Sequence, residues 1–348
     1  MILPSVSRNS LILFSEKITS SSDVKIKSNI LEYVTLNDKI SIGEPTQDER
    51  GKGCVQVSSD SSSTVKALEV LARIPRILAI TSADCNIIPS QQHVVEAISN
   101  SRNTTWATEL TAITLASLHP SDDIMNNKMA QVKQQWISSW TKGGWGSDSD
   151  LGPDISSDCI GTLLATGTDN DKNIYAKFRM PAHPAIFKAS LGLSLLTKCT
   201  EAESLKALTA RGFTYRSMRD ALQELVLQST QRVESKKCTV RDKRCWDVAD
   251  TLDKVLSRVT TLQLEDTTAT AIVPIYERLS HSLEENSKLV SIGDEILLVA
   301  TRDIEAGEAI TRDYTKAPQL VNDDAVEGSA LRLLLQFGLP PKAWPEEQ

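Results

Sequence analysis

No apolar run in this 348-residue chain approaches the 18 or more residues that a membrane span needs, so no membrane partner is expected. There is no P-loop, no G-x-G-x-x-G, no H-E-x-x-H and no G-x-S-x-G. The common phosphate-cradle, dinucleotide, zinc-protease and serine-hydrolase chemistries are thereby struck off. The four histidines are too dispersed to suggest a metal cluster. Cysteines Cys54, Cys85, Cys159, Cys199, Cys238 and Cys245 are scattered through a chain too long to need disulfide stapling. Cys238 and Cys245 have no histidine nearby with which to make a zinc site. No metal is expected, and a reduced intracellular compartment is the simpler reading. Basic excess is lacking as well. The formal net charge is −7, so the whole-chain balance implies no nucleic-acid partner.

What is present is a composition of 40% hydrophobic and 24% charged residues, that of a soluble globular protein. Its length buries a sizeable core, as one large domain or two ordinary ones. The opening MILPSVSRNSLILFSEKITSSS has one early arginine, several serines and no acid before Glu16. A frayed start is the plainer reading and a transit peptide the alternative, so the plastid stays open beside cytoplasm and nucleus.

Along the chain, Lys39–Gly43 alternates polar and apolar and reads as a first strand. Gly51-Lys-Gly53 precedes a second strand at Cys54–Val57. Two glycines there let backbone approach a ligand, or simply form a turn. Leu71–Thr81 reads as strand, with Pro75 marking an edge or bend. From Asp84 to about Thr209 the pattern turns helical, with apolar residues at three- and four-residue spacing in Gln91–Ser99, Trp106–Leu118 and Ile124–Trp140. Trp136 and Trp140 are one turn apart and read as core; with Trp145 they precede the polar loop Gly143–Asp154. Asn173–Met180 reads as a short strand, and Phe187–Leu208, Ser217–Val233 and Val248–Leu262 as helices.

The densest signal lies between Ala271 and Tyr314. Glu295–Thr301 and Ala309–Tyr314 read as the two strands of a hairpin, with Gly307 free to take a positive φ in the turn. Before them stands a polar segment carrying Arg278, Ser280, His281, Ser282 and Asn286, which lines a site or forms a solvated loop. Arg278-Leu-Ser-His-Ser-Leu-Glu-Glu-Asn286 resembles the SET-domain motif R-F-x-N-H-S-x-x-P-N. Ala300-Thr-Arg-Asp-Ile-Glu-Ala-Gly-Glu-Ala-Ile310 followed by Tyr314 resembles A-x-R-D-I-x-x-G-E-E-I-x-x-x-Y. Gly51-Lys-Gly53, Arg73-Ile-Pro75-Arg-Ile-Leu-Ala-Ile-Thr81 and Ser329–Leu339 resemble other elements of that family. The last is similar to its Rubisco large-subunit and non-histone protein methyltransferase branch.

The resemblance implies an α+β fold: a SET-like β core of short strands interrupted by a mostly helical insert. It divides the chain into an N-terminal extension (1–38), core (39–84), insert (85–220) and core (221–348), without the branch's C-terminal substrate-binding domain. It implies S-adenosylmethionine as cofactor, with Gly51, Gly53, Arg278, Ser280 and His281 around it. Tyr314 is implied as the catalytic residue that orients the acceptor amine, a lysine of a non-histone protein substrate. Ser280 and Ala330 stand where the family has asparagines. Two functions therefore stay open: a protein N-methyltransferase, and a SET-like binding or scaffold protein that no longer transfers methyl groups.

Overall fold

The computed structural model describes residues 30–43, 55–59, 64–82, 106–118, 128–140, 194, 199–200, 202–204, 206, 251–252, 254–319 and 330–337. On the N-terminal side lie β1 (Thr35–Leu36), β2 (Ile40–Ile42), β3 (Val55–Val57), β4 (Val70–Pro75) and β5 (Ile80–Thr81). Helices α1 (Trp106–Leu118) and α2 (Lys128–Ser138) follow. On the C-terminal side lie β6 (Thr260–Gln263), β7 (Thr268–Ile272), β8 (Ser280–His281), β9 (Ser287–Ile292), β10 (Glu295–Ala300), β11 (Thr311–Arg312) and α3 (Ala330–Phe337). The architecture is α+β, with short strands in several small sheets. Gly51, Gly53, the expected helices 91–99 and 217–233, the loop 143–154, the strand 173–180 and most of 187–208 lie outside the described residues.

The largest sheet has the order β1-β4-β10-β9, antiparallel throughout. Ile296–Ala300 of β10 are all buried, so this run requires a neighbour on each side. It finds them in β4 and β9, with Leu297 opposite both Arg73 and Val290. The hairpin expected between 295–301 and 309–314 therefore does not form. The chain reverses one connection earlier, at Gly293-Asp294, where Gly293 takes φ +56° and joins β9 to β10. Gly307 does take a positive φ, +77°. Its turn, however, delivers the chain to β3: the Gly307 amide donates to the Val57 carbonyl (3.0 Å) and Ala309 bridges Gln56.

Two other expectations change in the same way. The strand over 71–81 is cut at Pro75, which lacks an amide donor and leads into the 3-10 turn Arg76–Leu78. Its two halves serve different sheets, because β5 pairs with β7 in the order β5-β7-β6. The helix expected over 248–262 stops short. Residues 251, 252 and 254–256 are helical, but Thr260–Gln263 is strand, buried and exposed by turns. That alternation has period two, the strand signature.

α1 occupies the expected Trp106–Leu118, and α2 lies within the expected 124–140. Trp136 and Trp140 are both buried, with their rings edge-to-face at 5.0 Å. One apolar cluster joins Leu71, Ile74 and Ile80 to Leu110, Val132 and Trp136, and to Leu262, Ile272 and Ile296. Burying each large aliphatic side chain contributes about 1.5–3 kcal/mol. Polar contacts fix the helices on this core: Lys133 Nζ donates to the Ala79 carbonyl (3.0 Å), and Trp106 Nε1 to the Gln319 carbonyl (2.9 Å). Among the described residues no helix is long and apolar enough to cross a membrane.

Candidate functional site

The site begins with a backbone outlier. Ile275 has φ 71° and ψ −52°, a conformation that a β-branched side chain rarely adopts, and it is 2% exposed. Such a residue costs on the order of 1–3 kcal/mol and persists only where its surroundings hold it. Here it turns the chain into the 3-10 segment Tyr276–Arg278 and sends Glu277 into the core. Glu277 meets Arg258 (Nε–Oε2 3.3 Å), the Arg278 Nε (3.7 Å) and the Trp136 indole N–H (3.4 Å). Arg258 also lies over the Trp140 ring at 5.1 Å. A buried ion pair thus anchors the segment immediately before β8, and α2 supplies part of the anchor.

β8 pairs in parallel with β11, Thr311 opposite Ser280 and Arg312 opposite His281. This pairing brings His281 to Tyr314. The Tyr314 amide donates to His281 Nδ1 (3.1 Å), and the Tyr314 hydroxyl donates to the Leu279 carbonyl (2.8 Å). An acceptor role for Nδ1 puts the imidazole proton on Nε2. Nε2 is itself buried and has no hydrogen-bond partner among the described residues. Burial holds the His281 imidazole below its ordinary range, while Asp313 pulls the other way. The ring is therefore neutral at pH 7. Burial likewise pushes the Tyr314 phenol up, against the opposing charge of Arg312, so the hydroxyl keeps its proton.

α3 clamps the far side of Tyr314. The Phe337 ring stacks on it at 4.4 Å. Arg332 donates to the Thr315 (3.1 Å) and Ala317 (2.6 Å) carbonyls, and Gln336 to those of Pro318 and Leu256 (3.1 Å each). From the other direction, Asn286 binds the Ala309 carbonyl (2.9 Å) and the Thr311 amide (2.8 Å). Asn286 is fully buried and laces loop to strand.

Ser280, His281 and Tyr314 thus stand together. Arg278 is turned to Glu277, and Gly51 and Gly53 lie outside the described residues. The strand that follows Gly53 is nevertheless tied to the run leading to Tyr314: Val55 accepts the Ile310 amide at 2.7 Å. Sequence reasoning missed Glu277, Arg258, Arg312, Arg332 and Phe337. A charged residue ordinarily reads as solvent-facing, so no local signal marked the burial of the first four; Phe337 reads as apolar in the run Ser329–Leu339, but nothing local says that it stacks on Tyr314. Among the described residues no group of acids, histidines and cysteines is disposed to hold a metal.

No protein-family model and no curated protein matches the sequence. Among solved structures, the chain is similar to the SET domain of LSMT bound to lysine and AdoHcy. The identity is 11% and the TM-score 0.46, with 89% of this chain and 54% of that one covered. It is also similar to Rubisco LSMT bound to AdoMet, at 12% identity and TM-score 0.47, covering 90% and 55% of the two chains. A third, Rubisco LSMT bound to sinefungin and monomethyllysine, gives 9% identity and TM-score 0.47, with 96% and 57% covered. The chain spans little more than half the length of those chains, and the ligands named are theirs.

Proposed function

We propose that this chain is an S-adenosylmethionine-dependent protein N-methyltransferase whose acceptor is a lysine of a non-histone protein. The observation that carries the reading is the double clamp on Tyr314, amide to His281 Nδ1 and hydroxyl to the Leu279 carbonyl. With its proton committed to Leu279, the phenol oxygen can meet an incoming amine N–H only as an acceptor. A buried phenol with a raised pKa accepts that hydrogen bond without ionising. It orients the amine in a site of low dielectric, where positioning and exclusion of water are most of what methyl transfer requires.

The residues fit an adenosyl ligand in two respects. His281 offers a buried Nε2–H for which the described residues supply no acceptor, and its neutral ring brings no positive charge of its own. His281 and Ser280, with Arg278 and the backbone at Gly51 and Gly53, are the groups we assign to hold it. Bound S-adenosylmethionine would supply the activated methyl group. The acceptor enters, in this reading, between the span 85–220 and the two core parts 39–84 and 221–348. The Trp106 indole contact to the Gln319 carbonyl, just beyond the Tyr314 turn, supports that placement.

Kinetics of Tyr314→Phe test the assignment. Turnover is expected to fall on the order of a hundredfold while cofactor affinity is nearly unchanged, because the hydroxyl acts on the acceptor. A loss of affinity that accounts for the whole loss of rate would overturn it. Ser280, in place of an asparagine, favours the second reading, a SET-like binding or scaffold protein. A wild-type protein that methylates nothing in a cell extract and shows no thermal shift with S-adenosylmethionine would decide for that reading.

A further inference from the structure

The ladder between β8 and β11 ends at the pair His281–Arg312, closed by the Ser282 amide on the Arg312 carbonyl (3.1 Å). Beyond it, each of the next three amides donates to a side chain. That of Asp313 goes to Glu285 Oε2 (3.1 Å), that of Tyr314 to His281 Nδ1 (3.1 Å) and that of Thr315 to Asp313 Oδ1 (2.9 Å). The other carboxylate oxygen of Glu285 accepts the Lys316 ammonium (2.6 Å). One carboxylate thus holds both ends of the 3-10 turn Tyr314–Lys316, its cap Asp313 and its last residue. Glu285 can do so because its own backbone is fixed. Its carbonyl accepts the Thr301 hydroxyl (3.1 Å), and the adjoining Asn286 is fully buried, its amide and its side-chain oxygen both bonded to Thr311. In the motif R-F-x-N-H-S-x-x-P-N the residue before the last asparagine is proline, whose side chain accepts nothing; Glu285 stands in that place here. The hold therefore belongs to this chain and not to the motif.

Resting on the assignment of methyl transfer to this site, we propose that Glu285 is a positioning residue for Tyr314, setting where the phenol oxygen stands relative to the incoming amine. A carboxylate is a stronger acceptor for a backbone amide than a neutral group. Of its two contacts, the partly buried one to the Asp313 amide counts for more, because an ion pair as exposed as that of Lys316 contributes little in water. Without Glu285 the phenol keeps its bond to the Leu279 carbonyl and its stack on Phe337, but the turn beneath it is free to shift. A displacement of about 1 Å in a reacting geometry costs up to on the order of a hundredfold in rate. Ser280 and His281 on β8 keep their ladder to Thr311 and Arg312, so cofactor affinity is largely spared.

Two measurements on the full chain test this, each for wild type, Glu285→Ala and Glu285→Gln. The first follows the Tyr314 ring in ¹³C-tyrosine-labelled protein without any ligand, its signal identified by its loss in Tyr314→Phe. Glu285→Ala is expected to shift and broaden that signal. Glu285→Gln, with one acceptor atom left for two donors, is expected to move it less. The second times transfer from S-adenosyl-[methyl-³H]methionine to the proteins of a cell extract at saturating cofactor, with cofactor affinity measured by calorimetry. Turnover per folded molecule is expected to fall about tenfold to a hundredfold in Glu285→Ala and about threefold to tenfold in Glu285→Gln, with affinity within about threefold of wild type. A purely structural role would lower the melting temperature and leave both readouts of the folded molecules unchanged, which would overturn the proposal. So would a loss of rate explained wholly by lost cofactor affinity. Should Glu285→Ala not fold, the near-isosteric Glu285→Gln decides alone by the same outcomes. Wild type that transfers no label, while the Tyr314 signal still answers to Glu285, would overturn the methyltransferase reading and not the hold on Tyr314.

Discussion

In the sheet β1-β4-β10-β9, the run Ile296–Ala300 is buried and sets Ile296, Leu298 and Ala300 into the apolar cluster, while the nearby ion pair Arg73–Glu295 is half exposed. Around Tyr314 the interior is instead crowded with polar groups. Arg258, Glu277, Asn286, Arg312, Arg332 and Gln336 are all 3% exposed or less, and Ile275 is held in a strained turn. The sheet draws its stability from apolar area, which is tolerant of small shifts. The site region draws its geometry from directional bonds that fail if one partner leaves. That contrast is what a scaffold and the site mounted on it should show.

The sharpest way to break the contrast is Glu277→Ala. It removes the buried carboxylate that pairs with Arg258, and unfolding stability is expected to fall by about 3–5 kcal/mol in denaturant titrations. The Tyr276–Arg278 turn should shift with it, weakening the Leu279 acceptor for Tyr314, so ligand affinity and stability fall together. Leu298→Ala in the sheet is expected to cost about 2–5 kcal/mol and to leave ligand affinity of the remaining folded protein unchanged. Equal damage to ligand binding by both substitutions would erase the distinction between the two regions.

The same contrast decides what could be read from the sequence. The strands at 40–42, 55–57 and 295–300 and helix 106–118 announce themselves, because apolar periodicity is a local property. The Trp136–Trp140 pair was legible for the same reason. Partner choice was not local. Nothing in Glu295–Thr301 says that its hairpin mate precedes it at Ser287–Ile292 rather than following at 309–314. In the site, motif order singled out Ser280, His281 and Tyr314, whereas Arg312, written into the strand-like run Ile-Thr-Arg, is indistinguishable from a surface arginine. Buried polar residues are specified by their partners, and those partners lie in distant segments.

A smaller effect sharpens the comparison through pH. The His281 imidazole is held low by burial, so its folded pKa lies below the unfolded value of about 6.5. The stability this contributes is whole above that value and is lost as pH falls through the folded value. Glu69 and Glu308, beside the sheet and the 304–307 turn, are also held low, chiefly by hydrogen bonds from the Lys66 amide and Arg302. Their contributions are lost only as pH falls below about 4.3. Between about pH 7 and 5, wild type should therefore lose stability more steeply than His281→Gln. Parallel curves over that interval would show that His281 is not buried in its neutral form.

The most direct test concerns His281 Nε2, the nitrogen beside Tyr314 for which the described residues supply no partner. With histidine-labelled wild-type protein, the ¹⁵N resonance of His281 Nε2 can be followed while S-adenosylhomocysteine is added, with calorimetry run in parallel to establish binding. The account predicts that Nε2–H gains an acceptor, so its signal shifts in proportion to occupancy while Nδ1 keeps its bond to the Tyr314 amide. Saturable binding that leaves the His281 nitrogens unmoved would place the ligand elsewhere and contradict the assignment of this site.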